Sequence, residues 1–249
     1  MKAIVFTKYG SPENVLRLKE VEQPIPKANE VLIKVHATTV NDFDWGVVTG
    51  IPRIYRLLFG LFKPKRPTPG MELSGTISEL GENATNFKVG DAVYGDISEY
   101  GWGSFAEYIC VNEDAVVLKP DKMSFEDAAA LPHASMLAMQ GLVDIGKISE
   151  GQKILINGAG GGVGTLGLQI AKQYNTEVTG VDTGDKLKIM ESIGFDHIID
   201  YKKEDFTKNG TRYDLILDAK TTRGPRAYAR SLKPNGTYVT VGGYLTRIL

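Results

Sequence analysis

The chain has 249 residues, of which 42% are hydrophobic and 24% charged, with a formal net charge of −1 and one cysteine. Such a length holds one large domain or two modest ones, and a charge this close to zero gives no electrostatic basis for binding nucleic acid. No apolar run reaches the roughly 18 residues of a membrane span, the first residues are too strand-like for a signal peptide, and Cys110 standing alone excludes an intrachain disulfide and fits a reducing cytoplasm.

Taken in chain order, the first 120 residues read as short strands. Val31–His36, Leu73–Leu80, Asp91–Gly95 and Phe105–Val111 are separated by Gly, Pro, Asn and Asp turns. Between the first two lies Ile51–Pro69, where Arg53, Arg56, Lys63, Lys65 and Arg66 mix with Leu57, Leu58, Phe59, Leu61 and Phe62, without an acid. A basic amphipathic stretch can lie on a membrane. The preferred reading is a loop beside a substrate cleft, with apolar side chains inward and basic ones outward. Ser124–Asp127 carries a capping-box pattern that opens a helical run over Ala128–Ile145, broken at Pro132.

Beyond Gly151 strands and helices alternate. Lys153–Asn157, Glu177–Asp182, His197–Tyr201, Tyr213–Ala219 and Thr237–Val241 are predicted strands, and their alternation with helices predicts a parallel sheet covered on both faces. The expected organisation is α/β, with a β-rich domain over 1–122 and a doubly wound parallel sheet over 123–249.

The most specific segment joins the first of these strands to a helix. Five of the seven residues from Gly158 to Gly164 are glycine, directly after the apolar strand Lys153–Asn157. Glycines there permit a tight turn and let backbone N–H groups approach a diphosphate, while the following helix offers its unpaired N-terminal donors. Val163, Gly167, Ile170, Ala171 and Tyr174 share one helical face, with Gly167 permitting close approach to a sheet. The candidate dinucleotide loop is Ala159, Gly160, Gly161, Gly162, Val163 and Gly164, and Gly242, after the fifth strand, joins the cofactor set. Asp182, ending the second strand, stands where an acid accepts hydrogen bonds from the adenosine ribose, which favours NAD.

Asn41–Trp45, Pro69–Gly75, Val89–Tyr94, Gly103–Tyr108, Ala128–Pro132, the glycine loop and Ser192–Tyr201 come in a specific order and spacing. Together they resemble the medium-chain dehydrogenase/reductase superfamily, and within it the zinc-independent quinone oxidoreductases. The resemblance implies a GroES-like β domain, a Rossmann domain and a nicotinamide cofactor. It also implies hydride transfer to a small quinone or activated carbonyl. Positions that bind zinc in other members hold Asn41 and Met71, so no zinc is expected. Thr183, Lys186 and Tyr201 match positions that contact the 2′-phosphate of NADP, in conflict with Asp182, and the choice of cofactor stays open with NADPH ahead.

By the same resemblance Asn41 lies in the cleft, where its amide could donate to a substrate oxygen, although Asn also suits a helix-opening turn. Asp44 belongs to the same pattern and is equally suited to capping. Tyr55 and His133 are further candidate proton donors. Gly46 and Leu137 replace a cationic residue and a threonine common in the group. The chain stops after the fifth strand, where relatives continue with a sixth. It is therefore expected to be C-terminally shortened, with residues 237–243 as an open edge suited to a homodimer. A non-catalytic dinucleotide-binding fragment is the alternative expectation.

Overall fold

A computed structural model describes residues 1–242, apart from the side chain of Tyr55. The chain divides into two compact units, Met1–His133 and Ala134–Leu249. Residues 243–249 lie outside the described set, and with them the last residue of the expected open edge.

The first unit is mainly antiparallel. β1 (Lys2–Val5) and β2 (Arg17–Glu20) form a hairpin around α1 (Pro12–Val15). There follow β3 (Glu30–Ala37), α2 (Asp42–Thr49), α3 (Tyr55–Phe59), β4 (Glu72–Leu80), β5 (Ala92–Asp96), β6 (Tyr108–Asn112) and β7 (Val117–Leu118). β3 to β7 make a five-stranded sheet in the order β6-β3-β4-β5-β7. Val31, Ile33, Leu73, Ile77 and Val93 point to one face and form its core. α4 (Phe125–Ala129) packs on β4, with Ser74 donating a hydrogen bond to the Phe125 carbonyl. Cys110, on β6, is half-buried, and that burial, with Glu30 and Glu79 nearby, pushes its thiol up to about 12.

The basic segment departs from the expected inward–outward pattern. Leu57, Leu58, Leu61 and Phe62 face outward, Phe62 being 89% exposed, and Phe59 alone of the five apolar residues is buried. Two of the arginines instead lie over aromatic rings. Arg56 lies over the ring of Tyr9 at 4.8 Å and Arg66 over Trp102 at 5.5 Å. Aromatic faces satisfy a guanidinium better than a lysine's compact charge, so ring stacking takes precedence over simple amphipathic sorting.

The second unit continues α5 (Pro132–Met139) into a π-helical turn, Gln140–Ile145. Then come β8 (Lys153–Asn157), α6 (Gly162–Lys172), β9 (Glu177–Asp182), α7 (Lys186–Ile193), β10 (His197–Asp200), β11 (Tyr213–Asp218), α8 (Pro225–Arg230) and β12 (Leu232–Thr240). The five strands are all parallel, in the order β10-β9-β8-β11-β12. Ile154, Leu155 and Ile156 are fully buried, as a strand covered on both faces requires. The α6 face reads as expected: Ala171 and Leu168 are buried in the core, with Val163, Ile170 and Tyr174 packed against it. β12 starts five residues before the expected strand, because Pro234-Asn235-Gly236 is a bulge inside it and not a preceding turn; Asn235 has φ 64°. Among the described residues β12 is an edge strand.

Candidate functional site

The strand order reverses direction at β8, whose neighbours are β9 on one side and β11 on the other. Loops leaving the carboxyl ends of such strands form the natural ligand crevice. From Asn157 the chain turns through Gly158, at φ 86°, into α6. A Cβ on Gly164 would stand 2.5 Å from the Ala159 backbone, so only glycine lets the helix start this close to its own loop. The N-cap residue of α6 is Gly161, and among the described residues no side chain caps this end. Its first-turn N–H groups and positive dipole end are therefore open to an anion.

Asp182 is buried beside this loop. Its Oδ2 accepts the Gly160 N–H at 3.0 Å and lies 3.5 Å from Lys186 Nζ, and its Oδ1 accepts the Thr183 N–H at 3.0 Å. The acid thus braces the glycine loop and is partly neutralised by Lys186. Thr183 Oγ1 donates to Asp200 at 2.7 Å. Asp182, Thr183, Lys186 and Tyr201 line a cavity of about 480 Å³ together with Gly158 and Lys220. The remaining loop residues are not in that lining: Ala159 is buried beneath it and Gly160 packs along the Lys186 side chain. Gly242 is elsewhere engaged, its carbonyl accepting from Thr221 Oγ1 and, at 2.9 Å, from Thr240 Oγ1. A second cavity of about 310 Å³, beside Glu177, His197 and Tyr213, sits at the opposite, amino ends of the strands.

Sequence reasoning passed over the group that fixes these strand ends. Asp218 is fully buried and accepts from Asn157 Nδ2 at 2.8 Å, Thr221 N–H at 2.7 Å and Tyr238 OH at 2.7 Å. The available signal was an acid ending the apolar run Leu215–Leu217.

A second polar cluster lies in the first unit. Asn41 is the N-cap of α2, its Oδ1 accepting from Phe43 N–H at 3.0 Å and Asp44 N–H at 3.3 Å. Asp44 returns the capping box by accepting the Asn41 N–H at 3.1 Å, and its other oxygen accepts the Gly70 N–H at 3.1 Å. Burial, with Glu72 nearby, raises the Asp44 carboxyl to about 6 against these bonds. Glu72, only 4% exposed, was missed by sequence reasoning because its partners are distant in the chain. It accepts from the Thr39 hydroxyl, from Asn41 Nδ2 at 3.3 Å and from His133 N–H at 2.8 Å. Tyr55, a candidate from sequence, has its side chain outside the described residues.

Residues 27–121 match the alcohol dehydrogenase GroES-like domain, and residues 162–247 match the family described as zinc-binding dehydrogenase. A 2-methylene-furan-3-one reductase from Solanum lycopersicum is 36% identical over 99% of this chain and 63% of its own. A solved quinone oxidoreductase from Coxiella burnetii superposes with a TM-score of 0.86 at 32% identity, covering 96% of this chain and 75% of that one. The Escherichia coli quinone oxidoreductase complexed with NADPH gives 0.82 at 25% identity, with 98% and 73% covered. The chain belongs to the medium-chain dehydrogenase/reductase superfamily, in its zinc-independent quinone oxidoreductase and enone reductase branch. It spans less than two thirds of the tomato relative's length.

The metal in the second family's description does not fit the residues here. Among the described residues no three His, Cys, Asp or Glu side chains are arranged to hold an ion. Asn41 Oδ1 is committed to its helix, and Met71 is a buried thioether.

Proposed function

We propose that this protein is an NAD(P)H-dependent reductase that passes hydride to a quinone or to an α,β-unsaturated carbonyl compound without zinc. The observation that carries the reading is the uncapped first turn of α6, opening after β8 at the sheet's switch point beside the Lys186 cavity. The nicotinamide, when bound, supplies the hydride, and this chain supplies binding and orientation. Likeness to reductases of quinones and furanones supports the substrate class. Steady NADPH or NADH oxidation with a panel of quinones and enones tests it; no turnover with any acceptor, by folded protein that binds cofactor, rejects it.

NADPH is favoured over NADH. Asp182 is already occupied by Gly160, Thr183 and Lys186, so it is a poor free acceptor for ribose, whereas Lys186 is 43% exposed and faces the cavity. Lysine suits a phosphate as a point charge. Lys186→Ala is expected to weaken NADPH binding about tenfold while changing NADH binding less than twofold to threefold, a difference of roughly 1 kcal/mol between the two cofactors. Parallel fluorescence titrations check it, and equal losses for both cofactors remove Lys186 from the 2′-phosphate site.

For substrate, Asn41 has one amide N–H on Glu72, and its second has no partner among the described residues. That N–H is proposed to donate to the acceptor oxygen, with Asp44 holding the turn. Asn41→Ser keeps a good N-cap but removes the amide donor. It is expected to lower kcat about 10- to 100-fold with little change in Tm. A fall in Tm that parallels the lost activity would assign Asn41 to the fold alone.

No helix of the described residues is long and apolar enough to cross a membrane. We place the protein in the cytoplasm on its single, half-buried cysteine; fractionation of the native cells decides. A homodimer through the β12 edge is proposed with it, and sedimentation showing only monomer discards that arrangement.

A further inference from the structure

His133 has a built environment and takes no part in the proposed cofactor and Asn41 contacts. Its ring Nδ1 is 2.8 Å from Asp96 Oδ2, with the carboxylate 5% exposed and the imidazole 28% exposed. Its backbone N–H is fixed on Glu72. Nε2, at the other end of the ring, has no hydrogen-bond partner among the described residues. A histidine oriented through Nδ1 by a carboxylate, with Nε2 free, is the arrangement of a working acid or base.

Its backbone ties it to the candidate substrate contact, because the Glu72 carboxylate that accepts the His133 N–H at 2.8 Å also accepts Asn41 Nδ2 at 3.3 Å.

Reduction of an enone needs a proton as well as a hydride. Hydride arriving at Cβ forms a C–H bond and breaks the Cα=Cβ π bond, whose electron pair moves toward Cα and the carbonyl oxygen. For a quinone, hydride arriving at one carbonyl oxygen forms an O–H bond and breaks that C=O π bond, and the electron pair passes through the ring to the other oxygen. We propose that His133 supplies the accompanying proton: the Nε2–H bond breaks, its electron pair stays on the ring, and the proton goes to Cα of the enone or to the quinone oxygen. Nδ1–H remains on Asp96, and solvent reprotonates Nε2. The inference rests on the reductase reading.

The charges around the ring all favour its protonated form. The Asp96 hydrogen bond raises the His133 pKa most, opposed by burial, and Glu72 on β4 and Asp44 on α2 raise it further. Burial alone would push Asp96 up, but hydrogen bonds from His133 and Ser98 hold it below the usual carboxylate range. Activity is thus expected to fall as pH rises through the elevated His133 pKa.

The test uses the full chain with NADPH and an α-methyl enone in D2O. Wild type, His133→Gln and Asp96→Asn are compared for cofactor affinity, the pH profile of kcat/KM and the configuration of deuterium at Cα. Wild type should give one α-epimer and an alkaline limb. His133→Gln should bind NADPH normally, lose about 100-fold in kcat, lose that limb and give mixed epimers. Asp96→Asn should move the limb to lower pH. An unchanged limb and a single epimer in His133→Gln overturn the inference while the reductase reading stands. Should that variant not fold, an unmoved limb in Asp96→Asn overturns it instead. Wild type without turnover on any acceptor overturns both.

Discussion

Replacing Gly161 by aspartate is expected to make the fold slightly more stable and to destroy cofactor binding. Gly161 is the N-cap of α6 with φ −96° and ψ 175°, a conformation that any residue adopts, and a Cβ there meets nothing closer than the Gly158 carbonyl at 3.4 Å. Aspartate at an N-cap accepts from the first-turn N–H groups and exceeds glycine by a few tenths of a kcal/mol. Those same donors are the proposed diphosphate ligands. A carboxylate that occupies them competes with the phosphates and repels them, so affinity should fall at least about 100-fold, or roughly 2.7 kcal/mol. Calorimetric melting and a cofactor titration on one preparation separate the two effects. Retained affinity would mean that the dinucleotide does not use this helix end. Most site variants lose stability and binding together, so opposite movements are diagnostic.

Glu72→Ala is expected to lower the stability of the protein by about 3 to 5 kcal/mol. The carboxylate accepts from Thr39, Asn41 and His133 in a buried setting. Removing it leaves three donors without an acceptor, and each buried unpaired group costs about 1–3 kcal/mol, partly recovered as water enters. Glu72→Gln keeps the shape and one acceptor oxygen, so it should recover part of the loss. Denaturant unfolding of the three proteins checks this. Alanine within about 1 kcal/mol of wild type would show that the cluster is far less cooperative than its hydrogen bonds imply.

How far the sequence could be read depended on whether the deciding partners are near in the chain. Ile154–Ile156 and Leu215–Leu217 are wholly apolar because both faces of their strands are covered, and their runs are legible without a structure. The glycine loop is legible for a similar reason, since strand, turn and helix lie within one short segment. The β1–β2 hairpin was harder to find, because all four residues of β2 are exposed and show no alternation. Glu72 had no local signature: it meets Thr39, Asn41 and His133 at separations of 33, 31 and 61 residues. Asn41 is readable both as cap and as substrate contact; the capping bonds are present, and one amide N–H has no partner among the described residues. The basic segment misled because hydropathy patterns carry no information about which ring an arginine stacks on. Asp182 was read as a selector of ribose, yet it also braces the loop, a use that depends on the Gly160 amide reaching across from β8.

The suppressed acidity of Cys110 acquires a meaning once the substrate class is considered. Quinones and enones are soft electrophiles that alkylate sulfur nucleophiles, and only the ionised form reacts readily. With its proton held up to about 12, this sulfur stays un-ionised near neutrality. If the proposed substrate class is right, Cys110 is thereby a poor target for alkylation by the protein's own substrates.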